Sequence, residues 1–121
     1  MWIPELPYEP SIPVVVRRAA EEFGDNDYVV LPDQRISFRD AERASRRLAK
    51  ELLAAGAGKG TRVGIHIANG PEWVVAFLAA TRIGALAMPY STLYRPAELR
   101  RALRIGDVDV LLTTSTILGK D

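Results

Sequence analysis

From residue 62 onward, short apolar runs alternate with longer helix-like segments, and this alternation constrains the fold more than any other feature. Val63-Gly64-Ile65-His66-Ile67, residues 85–90 and residues 108–113 are compact apolar runs, as expected of strands covered on both faces. Asn69-Gly70-Pro71 places proline at the first position of a helix over residues 72–83. That helix is apolar nearly all round, with Trp73, Val74, Val75, Phe77 and Leu78, so burial on more than one side is predicted; Gly84 stops it. Pro96 opens another helix, with Leu99, Ala102 and Leu103 inward and Gly106 as the stop. The order βαβαβ gives parallel strands joined by right-handed crossovers. The predicted fold class is α/β: a βαβαβ parallel sheet flanked by helices, preceded by an N-terminal helix and a β-hairpin.

The upstream third reads differently. Pro4, Pro7, Pro10 and Pro13 make residues 1–13 an extended arm that packs on something rather than a strand. Ser11 is a good N-cap for a helix ending at Phe23 and Gly24. Tyr28-Val29-Val30-Leu31 and Arg35-Ile36-Ser37-Phe38 flank Pro32-Asp33-Gln34 and read as a hairpin. The clearest helix follows. Ser37 with Asp40 resembles a capping box, Ala41, Ala44, Ser45, Leu48, Leu52 and Ala55 recur on one face, and Gly56 closes it. The opposite face carries Arg39, Glu42, Arg43, Arg46, Arg47, Lys50 and Glu51.

Composition narrows the chemistry. At 121 residues the chain is one domain at most, against a prior of ~150 residues per domain. Sixteen Lys+Arg against fifteen Asp+Glu leaves +1, no field to gather nucleic acid or anionic lipid. With no cysteine and one histidine, His66, disulfides, thiolate catalysis and multi-histidine metal sites are excluded. The N-terminus has no secretory pattern, and no apolar stretch approaches the ~20 residues of a membrane span, so a cytoplasmic location is expected. The sequence breaks off as a further connection begins at residues 114–121, which reads as a truncation inside a larger unit.

Individual motifs are weak. Ala57-Gly58-Lys59-Gly60-Thr61 lacks the Walker pattern's first glycine, since Leu53 stands there, and its Ser/Thr, since Gly60 follows the lysine. It also follows a helix and precedes a strand, the reverse of a phosphate loop, so a plain helix-to-strand turn is expected. A lone His66 in an apolar strand is ordinarily packed and hydrogen-bonded rather than a general base. Asp107 and Asp109 read as solvated turn carboxylates. The basic clusters Arg43, Arg46, Arg47, Lys50 and Arg95, Arg100, Arg101, Arg104 lack interleaved aromatics and read as solvated faces or docking surface, with Glu42–Arg46 a favourable i, i+4 pair. Thr113-Thr114-Ser115-Thr116, at a parallel strand's carboxyl end, reads as capping, with ligand contact the alternative.

One resemblance spans the chain. Ile36-Ser37-Phe38-Arg39-Asp40-Ala41 followed by Arg46-Arg47-Leu48-Ala49 resembles the first core motif of the adenylate-forming enzymes, which include acyl-CoA ligases, luciferases and peptide-synthetase adenylation domains. Gly58-Lys59-Gly60-Thr61-Arg62-Val63-Gly64-Ile65, Asn69-Gly70-Pro71-Glu72-Trp73-Val74-Val75-Ala76-Phe77-Leu78, Arg82-Ile83-Gly84-Ala85-Leu86-Ala87-Met88-Pro89 and Pro96-Ala97-Glu98-Leu99 resemble four further segments in the family's order. Tyr90-Ser91 stands where peptide-synthetase domains tend to carry aspartate, and residues 91–95 look more like bacterial acyl-CoA ligases.

The resemblance implies that residues 1–121 are the N-terminal portion of the large domain of such a ligase. It implies ATP, Mg and coenzyme A as cofactors of the parent, with none expected for this fragment alone, and a small-molecule carboxylic acid as substrate. Long-chain, aromatic, alicyclic and steroid acids all stay open. The loop Thr92, Leu93, Tyr94 and Arg95 would lie near the coenzyme A channel. The phosphate loop, adenine contacts and catalytic lysine come later in relatives, so no catalytic residue and no metal ligand is expected here. The rival expectation is a self-contained α/β binding module, or one self-associating through an uncovered sheet or helix face.

Overall fold

The computed structural model describes residues 4–117. Helix α1 (Ile12–Phe23) is followed by the hairpin β1 (Asp27–Val30) and β2 (Arg35–Ser37), then α2 (Phe38–Ala54), β3 (Arg62–His66), α3 (Pro71–Arg82), β4 (Leu86–Pro89), α4 (Pro96–Ile105) and β5 (Val110–Thr113). Every predicted element is present, and the strands are shorter than their apolar runs. Pro13, expected in the arm, sits inside the first turn of α1, where its missing N–H costs nothing. The arm packs back: the Arg18 guanidinium lies 4.4 Å from the Tyr8 ring centroid.

The hairpin turns tightly on Pro32-Asp33, the Leu31 amide donating to the Gln34 carbonyl at 2.7 Å. Its register skips Tyr28, pairing Asp27 with Ser37 and Val29 with Ile36. This bulge lets the Tyr28 ring stack on Phe38 at 4.6 Å, while Phe38 also meets Phe23 at 5.2 Å. Three aromatic rings therefore tie α1, β1 and α2 together. Ser37 caps α2 as expected, its Oγ accepting the Asp40 amide at 3.1 Å.

In the second sheet β3 is central, in the order β4-β3-β5, with both neighbours parallel. The chain steps from β3 to β4 and then returns past β3 to β5. Right-handed crossovers of that kind place their helices on opposite faces. Side-chain alternation agrees. Val63 is fully buried and packs with Ala80, Val110 and Leu112 on the α2/α3 side, and Ile65, two residues on, is fully buried as well. Gly64 turns to the other face, toward Leu111, Val108 and Tyr90. Burying a Val or Ile side chain contributes about 1.5–3 kcal/mol, so β3 anchors this half of the molecule.

The α2 face differs from its predicted stripe. Ala41, Ser45, Ala49 and Leu52 are buried, whereas Ala55 is exposed beyond the end of the helix. Glu42, expected on the charged outer face, instead turns toward α3 and pairs with Arg82, their side chains only 12% and 16% exposed. The small residues Ala76, Ala79 and Ala80 on α3 let the two helices approach closely enough for this. Trp73, Val74, Val75 and Phe77 are half-buried rather than enclosed, while the buried positions of α3 are Ala76, Leu78, Ala79 and Ala80. On α4, Leu99, Ala102 and Leu103 do point inward but none is fully buried.

Candidate functional site at the carboxyl rim

Parallel strands end together, and here the loops after β3, β4 and β5 leave the sheet at one edge. Concave regions of about 570 Å³ and about 330 Å³ open along that edge, one over Asn69 and the 114–116 segment, the other beneath the loop after β4. Open α/β sheets bind ligands at such edges, where successive connections diverge to opposite faces.

The loop after β4 is built by its own side chains. Ser91 Oγ accepts the Leu93 amide at 3.2 Å and the Ser91 carbonyl accepts the Tyr94 amide at 3.3 Å. Arg95 then caps α4, its amide donating to Glu98 Oε2 at 2.7 Å. Of the four loop residues singled out in the sequence, Thr92 and Tyr94 line the 330 Å³ pocket. Leu93 does not; it is 80% exposed. Arg95 is committed to the helix start and lies outside the pocket lining.

The pocket's floor comes from the strands. His66 and Thr113 are paired in the β3–β5 register, and His66 Nδ1 lies 3.4 Å from Thr113 Oγ1. His66 is packed, as expected, and bonded at one nitrogen only. Its Nε2 is buried with no hydrogen-bond partner among the described residues. Leu99 and Leu111 supply the apolar wall, and Thr114 and Ser115 complete the polar rim. Within the 113–116 segment Thr114 Oγ1 donates to the Thr116 carbonyl at 3.0 Å, and any helix this segment would cap falls outside the described residues. Residues 118–121 lie outside the described chain.

Sequence reasoning missed this convergence. Two polar residues, His66 and Thr113, each ending an apolar strand, were the available signal, because in-register parallel strands bring their last residues side by side.

At the opposite edge, Gly58-Lys59-Gly60 is a plain turn, Gly60 donating to the Gly84 carbonyl at 3.0 Å and Thr61 Oγ1 accepting the Gly58 amide at 2.9 Å. Asp107 and Asp109 are exposed, yet both are engaged. Asp107 Oδ2 accepts from the Arg62 guanidinium at 2.9 Å, and Asp109 Oδ2 accepts the Arg62 amide at 2.8 Å. They tie the α4–β5 turn to the start of β3. Among the described residues no three His, Asp or Glu side chains gather as a metal site, and no helix is long and apolar enough to cross a membrane.

Known proteins share this sequence and fold. Residues 16–121 match the family model described as AMP-binding enzyme. The chain is 34% identical over 109 residues to the medium/long-chain-fatty-acid–CoA ligase FadD6 of Mycobacterium tuberculosis, covering 90% of this chain and 18% of that protein. It is 33% identical over 107 residues to the putative acyl-CoA synthetase YngI of Bacillus subtilis, covering 87% of this chain and 20% of that protein. Among solved structures, the N-terminal domain of FACL13 from Mycobacterium tuberculosis superposes with a TM-score of 0.80 at 26% identity, covering 87% of this chain and 27% of that one. The anthranilate CoA ligase AuaEII, in complex with anthranoyl-AMP, gives a TM-score of 0.80 at 25% identity, covering 89% of this chain and 21% of that one. The chain thus spans about a fifth of the length of these curated relatives. The five sequence segments in register, the β4-β3-β5 parallel sheet and a family match over residues 16–121 agree: this chain belongs to the AMP-binding, adenylate-forming enzymes.

Proposed function

We propose that these residues are the N-terminal portion of the large domain of an ATP-dependent carboxylic acid–CoA ligase, serving as scaffold and as one wall of its coenzyme A channel. The observation that carries this reading is the 34% identity to a fatty-acid–CoA ligase along 90% of the chain.

In the parent reaction a carboxylate oxygen bonds to the α-phosphorus of ATP as pyrophosphate leaves. The coenzyme A sulfur then bonds to the acyl carbon as AMP leaves and the thiol proton is released. Chemistry of this kind needs positioning and charge stabilisation above all. Among the described residues no three His, Asp or Glu side chains gather, so this stretch offers no all-protein cage for the magnesium that accompanies ATP. What this chain contributes is the rim: Thr92 and Tyr94 beside the coenzyme A arm, on a loop held by Ser91 and Glu98. The cytoplasm, which holds both ATP and coenzyme A, is the compartment that suits this reading. These residues alone do not adenylate an acid.

Isothermal titration of Mg·ATP, and separately of coenzyme A, into this chain and into a chain extended by its natural downstream sequence tests the proposal. Pyrophosphate release confined to the longer chain is expected. Nucleotide binding and pyrophosphate release by the 121 residues alone would overturn it. One feature favours the rival reading of a self-associating module: no residue of α4 is buried, and Ile105 at its end is 75% exposed. Sedimentation of the 121-residue chain as a monomer at all concentrations counts against that rival.

A further inference from the structure

Among the described residues no hydrogen bond joins residues 91–94 to a strand or helix; Ser91 accepts only the Leu93 and Tyr94 amides of its own loop. The loop's place over the sheet is therefore set by its two ends. At the first, the Tyr90 amide donates to the Ile65 carbonyl at 2.9 Å, pinning the chain to β3 just past β4. At the second, Arg95 is the N-cap of α4, so the loop follows wherever that helix sits. The helix rests on few supports. None of its residues is buried, and beneath Leu99 a cleft of about 330 Å³ separates it from His66, Leu111 and Thr113 of the sheet.

Under the far end of α4 stands the half-buried Tyr90. Its ring edge, at Cε2, lies 3.2 Å from the Cβ position of Gly64 on the central strand. Its hydroxyl abuts Gly106, the C-cap of α4, with Met88 Cε beside it, 2.9 Å from that glycine's Cβ position. Glycine at both places lets the ring bridge from strand backbone to helix backbone. A close-packed ring in such a place is a stiff spacer, because packed interiors yield little and transmit strain. We propose, resting on the reading of the loop after β4 as a wall of the coenzyme A channel, that Tyr90 is the positioning residue of that wall. It holds the loop directly at its start and, through the height of α4 above the sheet, at its end. Thr92, Tyr94 and Leu99 then face His66 and Leu111 across a cleft whose width the ring sets. Tyr90 does not line that cleft itself, so it acts through the residues that do.

The test uses the chain extended by its natural downstream sequence. Tyr90→Leu removes the spacer, and Tyr90→Phe shortens it by one oxygen. Hydrogen–deuterium exchange over residues 91–105 is expected to quicken about tenfold in Tyr90→Leu and about threefold in Tyr90→Phe. The KM for coenzyme A should rise in the same order, about tenfold and about threefold, as the wall loses its place. Exchange of pyrophosphate into ATP, which needs no coenzyme A, should change less than about twofold, a split that general unfolding does not produce. Faster exchange over 91–105 with an unmoved KM upholds the spacer and overturns the channel reading. Unchanged exchange there overturns the spacer whatever the kinetics. A Tyr90→Phe effect as large as that of Tyr90→Leu also overturns it, since most of the ring's span is still present. Should Tyr90→Leu not fold, Tyr90→Met fills the slot without a rigid ring and is read the same way.

Discussion

Tyr90 and Gly106 occupy one slot: a Cβ built on Gly106 would lie 2.2 Å from the Tyr90 hydroxyl. The Tyr90 ring also passes 3.2 Å from the Cβ position of Gly64, so it is threaded between the central strand and the end of α4. Gly106 has ordinary helical angles, φ −74° and ψ −9°, so the glycine is required by closeness and not by backbone conformation.

Gly106→Ala is therefore expected to destabilise the fold by about 1–3 kcal/mol through overpacking. Tyr90→Phe removes the clashing oxygen and should relieve much of that loss in the double variant. Urea unfolding of the four chains checks it, and additive effects would remove the slot from the explanation.

Glu42 and Arg82 form the most enclosed ion pair among the described residues, and Ser45 Oγ lies 3.4 Å from the same guanidinium nitrogen. Glu42→Ala leaves that cation half-buried without its counter-charge. A loss of about 2–3 kcal/mol is expected, somewhat below the ~3–5 kcal/mol for a fully buried pair. Replacing both residues with methionine should recover most of it. Arg46 sits 3.8 Å from the same carboxylate but is 58% exposed, and Arg46→Ala should cost less than about 0.5 kcal/mol. Equal costs for Glu42→Ala and Arg46→Ala would contradict the assignment.

The turn before β3 separates two glycines that look alike in sequence. Gly60 has φ +82° with open space around its Cβ position, whereas Gly58 has equal space and no positive φ. Gly60→Ala should cost about 1–2 kcal/mol from left-handed backbone strain alone. Gly58→Ala should be neutral or stabilising by up to about 1 kcal/mol, because the unfolded chain loses freedom. Thermal melts distinguish them. A phosphate-cradling role for this turn would instead show as a loss of nucleotide affinity in the Gly58 variant of the extended chain.

Tyr94 is 43% exposed and leans into the rim pocket. In the extended, active chain Tyr94→Ala is expected to raise the KM for coenzyme A by about tenfold, the equivalent of ~1.4 kcal/mol of lost contact. Leu93→Ala, one residue away but pointing to solvent, should leave that KM within about twofold, inside the ~0.5 kcal/mol usual for surface substitutions. Steady-state kinetics with coenzyme A as the varied substrate reads both. Reversed effects would move the channel wall off this pocket.

Much of this was legible before any coordinates. Helix and strand identity in residues 12–113 came from periodicity, from Pro71 and Pro96 at helix starts, and from Gly24 and Gly84 just past helix ends. The five segments in register carried the family. Burial was read less well. Periodicity puts Ala55 inside, yet it is exposed, because the helix ends at Ala54. Periodicity puts Glu42 outside, yet it is enclosed, because its surroundings are set by a helix that begins 29 residues later in the chain.

Which segments are helices and which are strands is written in consecutive residues, since a hydrophobic period and a cap are local properties. Tertiary structure alone decided which residues meet. His66 reaches Thr113 across 47 positions and Arg82 reaches Glu42 across 40. Strand order, register and the crossing of α2 with α3 depend on how whole faces pack, and no local pattern at either residue records its distant neighbour.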